Sequence, residues 1–175
     1  MEGSALERMV VDLAEQSRRR FYGKYRGIVT DVADPSSLGR IRAKVPEVLA
    51  DQDCPWALPC VPFAGKDHGV VWLPEVDDGV WIEFEAGDPS RPIWCGGWWG
   101  DGDLSDTANA KVRAFVTTAG HRIVVDDDNN KIQLEHSGGG KVEIGDSDIT
   151  ISSGSAKVVL SSSGVSVNDG ALQVS

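Results

Sequence analysis

Three histidines and three cysteines, with a few close acidic pairs, are the residues of this 175-residue chain that could do chemistry. His68, His121 and His136 fall in three different segments, and none has a nucleophile at motif spacing. The chain has neither the Gly-x-Ser-x-Gly elbow of a serine hydrolase nor the His-Glu-x-x-His pair of a zinc protease. Glu83 and Glu85 resemble the carboxylate pair of a glycosidase, but acids two apart on one strand face are ordinarily solvated. Cys54, Cys60, Cys95 and His68 could be assembled into a Cys₃His zinc set. Structural zinc sites place paired ligands two to four residues apart, whereas five residues separate Cys54 from Cys60. Asp126-Asp127-Asp128-Asn129-Asn130 invites a calcium reading, and a sharp acidic turn between two strands accounts for it better. Trp94, Trp98 and Trp99 could stack on a sugar or a base, or pack where copies of the chain meet. The expectation is a protein with no catalytic residue, no metal and no cofactor.

The elements that would position these residues come in three kinds. Residues 4–20 read as an amphipathic helix, with Leu6, Met9, Val10, Leu13 and Ala14 at i, i+3, i+4, i+7 spacing. Ser4 and Glu7 have capping-box spacing, and Arg18-Arg19-Arg20 suit the negative end of the helix dipole. Such a helix either lies on its own domain or docks a partner through Leu6, Met9, Val10 and Leu13. Residues 24–100 read as short strands: KYRGIVTDV, GRIRAKV, WALPCV, GVVWLP, GVWIEFEAG and RPIWCGGW. Asp34-Pro35-Ser36-Ser37, Asp77-Asp78-Gly79 and Gly87-Asp88-Pro89 are turn signals, so a small barrel or sandwich is expected. Val80, Ile82 and Phe84 alternate with Trp81, Glu83 and Glu85, which gives that strand one buried face. Residues 101–111 form a polar connector.

After the connector, apolar residues recur in i, i+2 pairs: Ile123/Val125, Ile132/Leu134, Val142/Ile144, Ile149/Ile151, Val158/Leu160, Val165/Val167 and Leu172/Val174. The mean step is about eight residues, with Asp, Asn, Ser and Gly between pairs, so residues 112–175 are an internal repeat. Ordering the backbone of one such strand costs about 1–2 kcal/mol per residue. Two buried aliphatic side chains return roughly 1.5–3 kcal/mol each, so a lone strand is close to balance at best. A second β-sandwich is one solution, but the single Phe115 gives it little core. A threefold arrangement suits better: three chains wind together, all fourteen apolar residues of the pairs face a common axis, and backbone edges pair between chains.

Bulk properties exclude other classes. The net charge is −10, and residues 27–110 carry five basic against fifteen acidic residues. That argues against binding a phosphate backbone. An odd cysteine count at irregular spacing is not a secreted disulfide framework. MEGSALERMV lacks signal-peptide form, and no apolar run reaches the ~20 residues of a membrane span. Synthesis in a reducing bacterial cytoplasm is expected.

The stretches YRGIVTDVADPSSLGRIRAKVPEV (25–48), WALPCVPFAGKDHGVVWLPEVDDGVWIEFEAGDPSRPIWCGGWWG (56–100) and TTAGHRIVVDDDNNKIQLEHSGGGKVEI (117–144) resemble the central spike proteins of contractile injection machines. These include phage baseplate assembly protein V and the valine-glycine repeat spike of type VI secretion. The resemblance implies an all-β chain with one N-terminal helix: an oligonucleotide/oligosaccharide-binding (OB) barrel followed by an intertwined trimeric β-helix, the needle. It divides the chain into a hub-docking helix (1–23), barrel (24–100), connector (101–111) and needle (112–175). It implies a structural, envelope-piercing homotrimer in the baseplate of a virion or contractile particle, with possible contact to an inner tube or cargo. Only about 24 residues precede the barrel, so a separate hub protein is expected. The needle lacks the metal-binding His-x-His of self-capped spikes. A separate tip protein of the proline-alanine-alanine-arginine repeat type is therefore expected on Leu172, Gln173, Val174 and Ser175. Trp94, Trp98 and Trp99 are expected at the barrel–needle junction. The competing readings are an OB glycan-binding module using an exposed tryptophan cluster, and a cell-wall hydrolase.

Overall fold

The structure, a computed structural model, describes residues 5–105 and 110–174. Ser4, proposed above as a helix cap, and Ser175 lie outside the described residues, as does part of the connector. The chain forms two compact units, Met1–Asp103 and Leu104–Ser175.

The first unit opens with helix α1 (Ala5–Arg18). The sheet that follows contains β1 (Tyr25–Asp31), β2 (Arg42–Lys44), β3 (Leu58–Pro59), β6 (Gly79–Phe84) and β7 (Pro92–Gly97), in the order β2-β1-β6-β7-β3. β3 runs parallel to β7; the other pairs are antiparallel. Bridges Ile41↔Ala57 and Lys44↔Asp53 join the two edges, so the sheet curls back on itself. Inside lie Val29, Ile41, Ala43, Val45, Cys54, Ala57, Val80, Ile82, Phe84 and Trp94. The alternation read in β6 is the one observed: Val80, Ile82 and Phe84 are buried and the residues between them are not. The strand ends at Phe84, where Glu85–Gly87 form a 3-10 turn with Gly87 at φ 73°. Glu85 therefore leaves the strand face shared with Glu83.

Two local readings differ. Pro46–Leu49 form a short helix, α2, that has no periodic signal of its own. GVVWLP is not a strand. The chain instead makes a minimal hairpin of β4 (Ala64–Gly65) and β5 (His68–Gly69), and Val71, Trp72 and Leu73 stand exposed beyond it. The run is apolar, but Pro74 ends it and no neighbouring strand offers it a ladder.

The second unit is one eight-stranded antiparallel sheet in strict chain order. Its strands are β8 (Val112–Val116), β9 (Arg122–Asp126), β10 (Lys131–Glu135), β11 (Gly140–Ile144), β12 (Asp148–Ser153), β13 (Ala156–Ser161), β14 (Gly164–Val167) and β15 (Leu172–Val174). This corrects the expectation that backbone edges pair between chains. Each strand hydrogen-bonds to its neighbours in the same chain, because the turns are short enough for successive strands to fold back directly. The Asp126–Asn130 stretch is such a turn. Asp126 Oδ1 accepts the backbone N–H groups of Asp128 and Asn129 at 3.0 and 3.1 Å, and Oδ2 accepts Asn129 Nδ2 at 2.8 Å.

Candidate self-association surface

The registers of the second sheet align its apolar residues in two files. One runs Ile123, Leu134, Val142, Ile151, Val158, Val167, Leu172 across β9 to β15; the other runs Val125, Ile132, Ile144, Ile149, Leu160, Val165, Val174. Each member sits directly opposite the next, so every i, i+2 pair of the sequence lies on one face. β8 extends the pattern in a way the sequence reading missed. Phe115 stands opposite Ile123 and adds an aromatic ring to the first file, while Arg113 stands opposite Val125 and pairs with Asp127 at 2.5 Å. The i, i+2 spacing of Arg113 and Phe115 was visible, but one of the pair is charged.

This face is uncovered. Ile123, Ile132, Leu134, Ile151 and Leu172 are between 48% and 60% exposed. On the opposite face Val124 is buried and Gln133, Glu143 and Thr150 are half-buried. Burial and hydrophobicity thus run out of phase along these strands, the reverse of β6. Of the eleven buried apolar residues among those described, only Val124 belongs to the second unit. Exposed apolar surface of this extent marks a binding face.

The polar face carries its own order. Glu143 takes Lys141 Nζ at 2.6 Å, Gln133 Nε2 at 2.6 Å and Lys131 Nζ at 3.3 Å. Lys141 first, then Gln133, lower its pKa to about 2. These ties lock β10 against β11 on the face opposite the apolar files.

The other residues singled out in the sequence scatter. Leu6, Met9, Val10 and Leu13 project from α1 and are all more than half exposed, an apolar stripe with nothing laid over it. Below the helix the chain is fixed by Phe21 N–H donating to Gly87 O at 2.9 Å and by the Arg20–Asp88 pair at 3.7 Å. The tryptophans do not cluster. Trp94 is only 5% exposed, with Nε1 donating to Gly39 O at 3.1 Å, so it is a barrel core residue and not an exposed junction residue. Trp98 donates Nε1 to Val80 O and lies 4.9 Å from the Arg26 guanidinium, and Trp99 alone is largely exposed. Leu172 and Gln173 lie in the last strand.

The candidates for chemistry separate likewise. Glu83 pairs with Lys24 at 2.8 Å and Glu85 with Arg91 at 2.6 Å, so the two acids do not face one another. Cys54 is buried in the barrel, where desolvation raises its thiol pKa, and Cys60 is exposed. Among the described residues, no group of three or more His, Cys, Asp or Glu is placed to hold a metal ion. His121 and His136, distant in sequence, meet with ring centroids 4.4 Å apart because Arg122 pairs with Glu135. Their Nδ1 atoms accept the backbone N–H groups of Ser137 and Gly138, which gives the pair a turn-fixing role. No helix among the described residues is long and apolar enough to cross a membrane.

Residues 25–99 match the type VI secretion system/phage-baseplate injector OB domain, and residues 113–173 match the phage baseplate V C-terminal trimerisation domain. No curated protein matches the chain. An OB barrel followed in one polypeptide by a trimerisation domain with an uncovered apolar face defines a homotrimeric baseplate spike: this chain belongs to the phage baseplate V family.

Proposed function

We propose that three copies bring their two-file faces together around a common axis to form a β-helical needle, and that this needle is the envelope-piercing element of a contractile injection machine. The observation that carries the reading is the pair of unbroken apolar files, seven residues long in each copy, of whose members nine, from Ile123 to Leu172, stand exposed in the single chain. Eight strands stacked at about 4.8 Å make a rod some 34 Å long. Its load runs across strand ladders already closed within each chain. The polar face, with its Lys131–Glu143–Lys141 ties, becomes the outside of the rod. The role is mechanical and not enzymatic.

Within the baseplate, α1 is the contact to a separate threefold hub through Leu6, Met9, Val10 and Leu13. The end formed by Leu172, Gln173, Val174 and Ser175 seats a separate conical tip protein. Exposure of the α1 stripe supports the first assignment, and the position of β15 at the edge of the sheet supports the second. The particle is assembled in the bacterial cytoplasm. The glycan-binding alternative loses its basis, because the tryptophan cluster it needs is not assembled.

Mass in solution tests the proposal. The chain of 18.7 kDa should sediment at about 56 kDa even when dilute, and resist dissociation by SDS. A well-folded monomer with the second sheet ordered would overturn it.

A further inference from the structure

Lys24, Glu83 and Cys95 meet on the outer face of the barrel sheet and belong to neither surface assigned above. Lys24 directly precedes β1, Glu83 lies on β6 and Cys95 on β7, and β6 runs between the other two. Lys24 Nζ is 2.8 Å from Cys95 Sγ and 2.8 Å from Glu83 Oε1. The nitrogen–sulfur separation is unusual even for this protein. The backbone N–H of Ala43 reaches Cys54 Sγ at 3.4 Å, and Cys95 Sγ approaches Trp81 O at 3.8 Å. A contact of 2.8 Å has the length of an N–H···O bond although sulfur is the larger atom. It is too long for a direct nitrogen–sulfur bond and leaves room for one bridging oxygen.

We propose that Lys24 and Cys95 form an oxidative cross-link, Nζ–O–Sγ, that braces the start of β1 to β7 across β6. The oxidant is dioxygen. The Cys95 S–H bond, one Lys24 N–H bond and the O–O bond break; an N–O and an O–S bond form; the second oxygen leaves as water. Nitrogen and sulfur each give up two electrons and dioxygen takes all four. The remaining ammonium proton passes to the Glu83 carboxylate and on to solvent. Cys95 first and Glu83 second hold the Lys24 ammonium charged, above its ordinary pKa, so the linkage forms slowly. Cys95 is half-buried and the Lys24 side chain is about half exposed, so the pair is open to a small oxidant and to a reductant. Two equivalents of a dithiol reductant, supplying four electrons and four protons, return the free thiol and amine and release the bridging oxygen as water, making the brace sensitive to the redox state around the particle.

The test is mass spectrometry of the full chain after incubation with dioxygen, with and without dithiothreitol. The expected product gains about 14 Da, joins the Lys24 and Cys95 peptides, resists trypsin at Lys24 and reverts on reduction. Both Cys95→Ser and Lys24→Arg should abolish it; the arginine variant keeps a positive charge beside Glu83 and so tests chemistry apart from folding. A gain of about 16 or 32 Da on Cys95 without linkage, a loss of about 2 Da from a direct nitrogen–sulfur bond, or an unchanged mass would each overturn the proposal. So would a wild-type mass shift that persists in Lys24→Arg.

Discussion

The Asp34 carboxylate does more for the barrel than its place in a loop suggests. It accepts Arg40 Nε at 3.0 Å and Nη2 at 2.6 Å, and it takes the backbone N–H groups of Ser36 and Leu38 at 2.9 and 2.8 Å. One side chain therefore shapes the whole β1–β2 connection and holds Arg40 over Trp56, 5.7 Å from the ring. The Arg40 guanidinium, aided by those backbone donors, keeps the carboxyl well below the usual range. A depressed pKa stabilises the fold above the unfolded value of about 3.9, and that contribution disappears as pH falls toward the folded value. Asp34→Asn should therefore lower the thermal midpoint of the first unit by several degrees at pH 7. Scanning calorimetry in steps down to pH 2 should show the gap between variant and wild type closing below about pH 4. A constant gap across that range would mean that shape and not charge is what Asp34 supplies.

At the level of elements, the alternation of the second unit has a definite sense that substitutions can read. Ile151 stands on the apolar face between Val142 and Val158, and its neighbour Ser152 stands on the other face between Lys141 and Lys157. In a threefold needle, Ile151→Asp brings three unpaired carboxylates together in an apolar interior, a cost of several kcal/mol per buried charge. Ser152→Asp sets its charge between two lysines. Light scattering should find the first variant dissociated or misfolded and the second a normal trimer; two intact trimers would mean the face is assigned the wrong way round. On the polar face, Glu143 gives full stability above about pH 4.3, its ordinary value, and loses it as pH falls to about 2. Glu143→Gln should flatten the acid limb of the melting curve in that window and leave the neutral-pH oligomer unchanged.

The same comparison shows what the chain made legible. The two files were readable because a period of two is local, and seven repetitions of it leave little room for another face. The pairing partner was not readable, since the same pattern serves a strand whether its neighbour is in the same chain or another; turn length decided that. Trp94 looked like a junction residue from its closeness to Trp98 and Trp99, but strand alternation turns it inward while Trp99 lies past the end of β7. GVVWLP failed as a strand because strand formation needs a partner that sequence does not show.

The two units, taken as whole bodies, differ in whether they are complete, and this gives the molecule its hierarchy of folding. Among its described residues, Met1–Asp103 encloses ten buried apolar side chains behind a sheet whose edges are bridged to each other. Leu104–Ser175 pairs its strands within the chain, but among its described residues only Val124 is a buried apolar one. A body of the first kind owes its stability to itself. A body of the second kind owes it to association, so its stability must depend on protein concentration. Separated at the 103/104 boundary, residues 1–103 should unfold as a monomer at a midpoint independent of concentration. Residues 104–175 should fold only as a trimer, with a midpoint that rises on each tenfold increase in concentration, followed by circular dichroism across a dilution series. In the full chain the needle then folds last and melts as the trimer comes apart. Three barrels, each already folded, are held at the high local concentration that assembly sets. If the separated second unit gave a concentration-independent monomeric transition, the apolar files would have to be covered from within the chain, and the threefold needle would lose its physical ground.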